Sequence, residues 1–201
     1  MDVTEAIEGR RSVKHFDPDH RMTEDEIRTL LSATMLSPTS FNIQHWRFVL
    51  VLDPAMRQEI RGLAWNQAQV TDASLLVLVC GDQQAWSKQP ERYWANALPS
   101  AREFLVGAIL KVYQDAEQLQ RDEVMRSGGI AAQTLMIRAK SLGYDSCPMV
   151  GFDFEGVARL INLPDDHLIC MMICVGRAKK AAQSRSGQLP YEEVVVENRF
   201  P

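Results

Sequence analysis

Three short apolar runs constrain this chain more than any other feature. They are "RFVLVL" (Arg47 to Leu52), "SLLVLVC" (Ser74 to Cys80) and "LICMMICVG" (Leu168 to Gly176). Each is dominated by aliphatic residues, and "DPA" and "GD" close the first two. Runs of this length and content read as buried strands. Between them lie stretches with helical spacing. "TEDEIRTLLSATMLS" opens with Thr23 and Glu26 in capping-box register and puts Ile27, Leu30, Leu31 and Met35 on one face, with Pro38 as its stop. "AMRQEIRGLAWNQAQV" reads as a helix, as does Pro99 to Gln120, with Phe104, Leu105, Ile109 and Val112 along one side. A further helix is expected over Ile130 to Leu142, apolar almost all round and stopped by Gly143. Asp153 is placed to cap "FEGVARLIN", and "YEEVVVENRF" reads as a strand-like tail. Helices and strands are interspersed without a repeat or linker, which predicts an α+β chain.

Bulk properties narrow the function. At 201 residues, 46% hydrophobic and 24% charged, the chain has the composition of an ordinary globular domain. A net charge of −4 gives no global attraction for nucleic acid. No apolar run reaches the roughly 18–20 residues of a membrane span, and "MDVTEAIEGRR" has no signal-peptide core. Cys80, Cys147, Cys170 and Cys174 form no C-x-x-C pair and sit in apolar segments. These features predict a cytoplasmic protein with reduced, buried thiols, no membrane partner and no metal centre. Neither G-x-G-x-x-G nor G-x-x-x-x-G-K-[ST] is present, so a nucleotide would have to bind in another way.

Three stretches carry candidate chemistry. "EGRRSVKHF" (Glu8 to Phe16) packs Arg10, Arg11 and Lys14 around Ser12. Arginine forks and a hydroxyl suit a phosphate, and Lys14 would project to the same side as Ser12 if the segment is extended. A solvated basic turn has the same spacing. "SPTSFNIQHWRF" (Ser37 to Phe48) offers small hydroxyls and amides beside a tryptophan, suited to a polar heterocycle or simply to a turn before a strand. "GYDSCPMVGFD" (Gly143 to Asp153) reads as a helix exit into a Pro/Gly loop that presents backbone groups at close range.

In order and spacing, "RRSVKHF", "SPTSFNIQHW", "DASLLVLVC", "CPMVGFD" and "LPYEEVV" resemble the FMN-dependent nitroreductase family, especially its NADH-oxidase-like members. The resemblance runs from about Ala6 to Val196. It implies a single α+β domain over 1–201 with a mainly antiparallel sheet flanked by helices. It also implies an intertwined homodimer with FMN at the interface. A variable substrate-covering insert is expected at about 83–120 and a dimer-wrapping tail at 190–201. The implied activity is ping-pong transfer of hydride from NADH or NADPH to FMN and on to a nitroaromatic, a quinone or a similar small acceptor. A dehalogenase or dehydrogenase of the same fold and a non-enzymatic flavin store are the alternatives.

Residue by residue, the resemblance assigns the phosphate and ribityl contacts to Arg10, Arg11 and Ser12. It puts Lys14 beside the pyrimidine edge of the flavin, where it tunes the cofactor rather than acting as a catalytic acid. Pro38, Thr39, Ser40 and Asn42 match a loop reaching the partner's FMN, as do Ser127 and Ile130 on a buried helix. Asn66 and Gln69, with Gln67 as a substitute, match contacts to ring and ribityl chain. Pro148, Met149, Val150 and Gly151 match the loop beneath the ring. Two departures stand out: His45 occupies a position where relatives often carry proline, and "SRSGQLP" leaves Arg185 as the only cation near the C-terminal Leu-Pro. His15, His20 and His167 are expected on turns, and Trp65, Trp86 and Trp94 in packing.

Overall fold

The computed structural model describes residues 1–200, and the three apolar runs lie side by side in one sheet. Helices α1 (Val3–Gly9) and α2 (Glu24–Thr34) precede strand β1 (Trp46–Leu50). Then α3 (Pro54–Leu63) and the short α4 (Gln69–Asp72) lead to β2 (Leu75–Asp82). Next come α5 (Pro99–Tyr113), α6 (Glu117–Ser141) and β3 (Asp145–Met149). The last elements are α7 (Phe154–Leu160), β4 (His167–Gly176) and α8 (Tyr191–Val194). Strand order is β1-β2-β4-β3, and every pairing is antiparallel.

Side-chain alternation along β2 explains why its sequence lacks polar residues. Leu76, Leu78 and Cys80 pack on one face with Ile60, Val157 and Met172, against α3 and α7. Leu75, Val77 and Val79 pack on the other with Leu30, Leu135 and Ile173, against α2 and α6. Helices therefore cover both faces of an antiparallel sheet, where one face is commonly left to solvent. α6 comes close enough that a Cβ on Gly128 would lie 2.4 Å from the Cys170 sulfur. All four cysteines are free and buried, and burial pushes the thiols of Cys80 and Cys170 up to about 12.

The local signals operate as expected at several boundaries. Thr23 and Glu26 form the reciprocal capping box of α2. Tyr144 donates to Glu26 Oε1 at 2.6 Å, and that bond is the main cause of a Glu26 carboxyl drawn down to about 2. Asp153 caps α7, and Gly143 takes φ 85° just past α6.

Other expectations are corrected. The stretch Pro99 to Gln120 is broken at Asp115, whose φ is 57°, and its residues beyond the break belong to α6. Ile109 and Tyr113 are the buried face of α5, while Phe104 and Val112 are exposed. The helix expected over Ile130 to Leu142 is the second half of α6, and Ile130 is itself 39% exposed. "AMRQEIRGLAWNQAQV" makes two helices, parted by Trp65 and Asn66 at φ 53° and 57°. The stretch read as a Pro/Gly loop contains β3, because Pro148 needs no ladder N–H at the edge of a sheet. The strand-like tail forms α8, and its apolar side chains are exposed. His167 starts β4 instead of lying on a turn.

Candidate functional site

The chain after α1 is shaped by two attachments to the sheet. Ser12 bridges Ser146 of β3, Val13 N–H donates to Ser146 O at 3.0 Å, and Phe16 bridges Ala178. Extended backbone then puts Val13 into the core with Ser12 and Lys14 facing outward, and Phe16 enters the core at its own bridge to Ala178. Beyond β4, Lys179 N–H donates to His15 O at 2.8 Å, which lays the following segment over the same surface. Arg11 donates through Nη2 to Gln183 O, and Arg185 Nη2 donates to Glu8 O at 3.1 Å.

These contacts enclose a cavity of about 430 Å³ lined by Arg10, Arg11, Ser12, Lys14, Lys180 and Arg185, together with backbone and small side chains of 181–188. None of the described residues that line it is acidic. Positive charges converging on one concave surface focus the potential there, despite the acidic balance of the whole chain. Within this group Arg10 Nη1 is buried with no hydrogen-bond partner. A buried guanidinium nitrogen left unpaired is costly, so it marks a place where an anion belongs. Arg185, the cation near the C-terminal Leu-Pro, lines this cavity. It is not alone, because Lys180 lines the same cavity and was missed by attending only to the Leu-Pro neighbourhood.

A second group lies where β3 ends. Gln69 Nε2 donates to Gln67 Oε1 at 3.0 Å, and Gln67 Nε2 donates to Gly151 O at 3.1 Å. Asn66 Oδ1 accepts from Arg61 Nε at 2.8 Å. The turn between α3 and α4 is thus stitched to Gly151, just past the end of β3, and Ser146 of β3 bridges Ser12. Met149 is buried and Val150 is 65% exposed, so the exit of β3 carries one apolar residue on open surface.

The third group is held elsewhere. Thr39 Oγ1 accepts from Gln44 N–H at 3.0 Å, Ser40 Oγ accepts from Tyr113 OH at 2.8 Å, and Asn42 Nδ2 donates to Tyr93 O at 2.8 Å. Neither these residues nor Pro38 line the Arg10 cavity of their own chain. They adjoin a cluster of Ile43, Ala85, Tyr93, Ile109 and Tyr113. Next to them Ser127 Oγ lies 3.2 Å from His45 Nδ1, a buried pair that sequence reasoning did not connect. Trp86 and Trp94 pack against this cluster as expected. Trp65 is not buried: one side of its ring lies against Gly151, and the residue is 73% exposed. Asp82, Asp166 and His167 bring ligand atoms within 4.8 Å of one another, but Lys88 Nζ already sits 2.9 Å and 2.6 Å from the two carboxylates. That cluster carries its own cation.

Among the described residues no helix is long and apolar enough to cross a membrane. Residues 7–177 match the model of the Nitroreductase family. Protein DrgA of Synechocystis is 54% identical over 185 residues, covering 92% of this chain and 88% of that protein. The "Putative NAD(P)H nitroreductase MhqN" of Bacillus subtilis is 31% identical, covering 96% of this chain and 98% of that one. Among solved structures, a "putative nitroreductase in complex with FMN" from Exiguobacterium sibiricum superimposes with a TM-score of 0.90 at 27% identity, covering 98% and 97% of the two chains. An α+β fold shared over nearly the full length and a family match across most of the sequence lead to one conclusion: this chain is a member of the Nitroreductase family.

Proposed function

We propose that the protein is an FMN-dependent NAD(P)H oxidoreductase that works as a cytoplasmic homodimer and reduces small acceptors such as nitroaromatics or quinones. The observation that carries this reading is the buried, partnerless Nη1 of Arg10 in a cavity ringed by cations and a serine. This donor set fits a phosphate monoester: two arginine forks, a hydroxyl and further ammonium or guanidinium groups around a dianion. The relatives' names and the FMN-bound neighbour supply the flavin end of that ester.

In this reading Arg10, Arg11 and Ser12 bind the phosphate, and Arg185 closes over it. Lys14 sets a fixed positive charge beside the pyrimidine edge, which favours the reduced, more anionic cofactor. Asn66 and Gln69 orient the ring and ribityl chain through their amides. The stretch from Pro148 to Gly151 would support the ring, with the backbone N–H groups that follow Pro148 as donors. Pro38, Thr39, Ser40 and Asn42 complete the site from the partner subunit and keep water away from it. When bound, FMN supplies the redox chemistry, taking hydride from the nicotinamide and passing electrons to the acceptor in ping-pong order.

Dimerisation is supported by apolar surface that one chain leaves open: Leu98 and Phe104 on or beside α5, and Val194, Val195, Val196 and Phe200 in the tail. Large apolar patches are rare on soluble monomers and mark surfaces that a partner covers. The decisive experiment is the anaerobic absorbance spectrum of FMN-loaded protein before and after NADH or NADPH. Bleaching near the flavin maximum supports the enzyme. A protein that holds FMN without bleaching is a flavin store, and one that takes up no FMN overturns the reading.

A further inference from the structure

We infer that His45 is a positioning residue for the cofactor: its ring clasps loop 37–45 to α6 in the strained shape that presents Pro38 to Asn42 to the partner's flavin. The inference rests on the flavin reading above and adds to it a residue outside the assigned flavin contacts. Three observations meet in this loop, and all of them lie within one chain. The first is strain. Phe41, Asn42 and Gln44 take φ 49°, 55° and 53°, and none of them is a glycine. Left-handed backbone is costly for such residues, above all for a bulky one, and persists only where neighbours enforce it.

The second is that one helix holds the loop at both ends. At its start Ser37 Oγ lies 2.8 Å from Thr134 Oγ1, and at its end His45 Nδ1 lies 3.2 Å from Ser127 Oγ. Ser127 and Thr134 are two turns apart on α6, so their hydroxyls share one stripe of the helix about 10 Å apart. The loop arches between these two pins, and the bonds of Thr39, Ser40 and Asn42 hold its crown. The third observation is burial. His45 is 1% exposed and Ser127 2%, so the clasp is closed to solvent before any second chain docks. The His45 carbonyl also accepts from Asp82 N–H at 2.9 Å, and the edge of its ring meets Tyr113 at 6.5 Å between centroids. A leucine would fill this space without the cost of desolvating an imidazole. The polar ring sits instead where the strained backbone rejoins β1.

The clasp acts on the cofactor through the population of loop shapes. Without it the left-handed residues relax, and the loop spreads over several arrangements of which one meets the flavin. Apparent affinity falls by the fraction of time spent in that arrangement, so a loop correctly shaped one tenth of the time binds about tenfold more weakly.

The test compares FMN-loaded wild type with His45→Asn, His45→Leu and Ser37→Ala. Asparagine keeps a hydrogen-bonding group where Nδ1 stood, and leucine fills the space without one. Val157→Ala, cut from the core on the other face of the sheet, is the control for lowered stability alone. FMN Kd is read from the fluorescence of flavin released on dilution, sedimentation velocity reports the dimer, and the thermal midpoint is recorded for each protein. Expected is a Kd within about threefold of wild type for His45→Asn and Val157→Ala, and about tenfold weaker for His45→Leu, with the dimer intact throughout. Ser37→Ala, which breaks the other pin, should also bind FMN several-fold more weakly. Wild-type affinity in His45→Leu overturns the clasp. So does an asparagine variant as weak as the leucine one, or an equal loss in Val157→Ala. If His45→Leu does not fold, wild-type affinity in Ser37→Ala overturns it instead. A wild-type protein that takes up no FMN overturns the functional reading, and this inference with it.

Discussion

His45 Nδ1 and Ser127 Oγ face each other at 3.2 Å where β1 begins beside α6, and both residues are shut off from solvent. Burial is the chief cause of an imidazole pushed down to about 4. The folded state therefore holds this histidine neutral, while the unfolded chain protonates it near pH 6.5. With a depressed folded value, the stability it supports is complete above about pH 6.5 and is lost as pH falls toward 4. Between pH 7.5 and 5 the wild type is expected to lose about 1–2 kcal/mol more than His45→Asn, measured by urea denaturation at each pH. Parallel pH profiles for the two proteins would remove His45 as the source.

Arg10 is expected to dominate phosphate capture, because its Nη1 has no other partner. Arg10→Ala should weaken FMN by one to two decades, the equivalent of about 1.5–3 kcal/mol for one charge-assisted contact. Titration of apoprotein by quenching of FMN fluorescence reads the change, and riboflavin, which lacks the phosphate, should bind both proteins alike. Unchanged FMN affinity counts against the assignment.

For Lys14 the expected signature is a potential. Lys14→Met removes the positive charge assigned to the reduced cofactor, so the flavin midpoint should fall and reduction by NADH should slow by more than FMN binding weakens. Spectroelectrochemistry of both holoproteins decides this. Equal midpoints would place Lys14 with the phosphate instead.

Removal of the residues after Pro190 should abolish the dimer and FMN retention together. Tyr191, Val194 and Phe200 are exposed on a single chain, and Pro38 to Asn42 lie outside that chain's own cationic cavity. Sedimentation velocity and the ratio of flavin to protein absorbance report both quantities. A truncated monomer that still holds FMN would separate the tail from the site.

How much of this was legible depended on whether a feature is local. The Thr23–Glu26 box, the Asp153 cap and the Gly143 stop each depend on a few neighbouring residues, and each lies where its pattern indicates. The apolar runs that became β2 and β4 announce themselves because both faces are buried, and that of β1, half-buried at the sheet edge, keeps enough of the same pattern to be read. β3 was not legible, since Asp145, Pro148 and the short span resemble a loop until β4 supplies the pairing. The break at Asp115 and the exposure of Phe104 are likewise decided by packing and not by spacing. In the site, "RRS" signalled an anion, but the partnerless Nη1 of Arg10 and the approach of Lys180 required a chain folded back on itself. Trp65 looked like packing because its left-handed turn has no glycine to mark it.

The strand order carries a cost in time. β2 pairs with β1, which precedes it closely, but its other edge pairs with β4, from Leu75 opposite Val175 to Asp82 opposite His167. At about 5–20 residues per second, the roughly 85 residues between Asp82 and His167 take on the order of 4–17 s to synthesise. Throughout that interval the most apolar strand of the protein has an open edge and no partner to fill it. Contacts so distant along the chain also slow the search for the native pairing. On the ribosome, then, "LLVLVCG" is the segment most exposed to self-association and most in need of a chaperone's shelter.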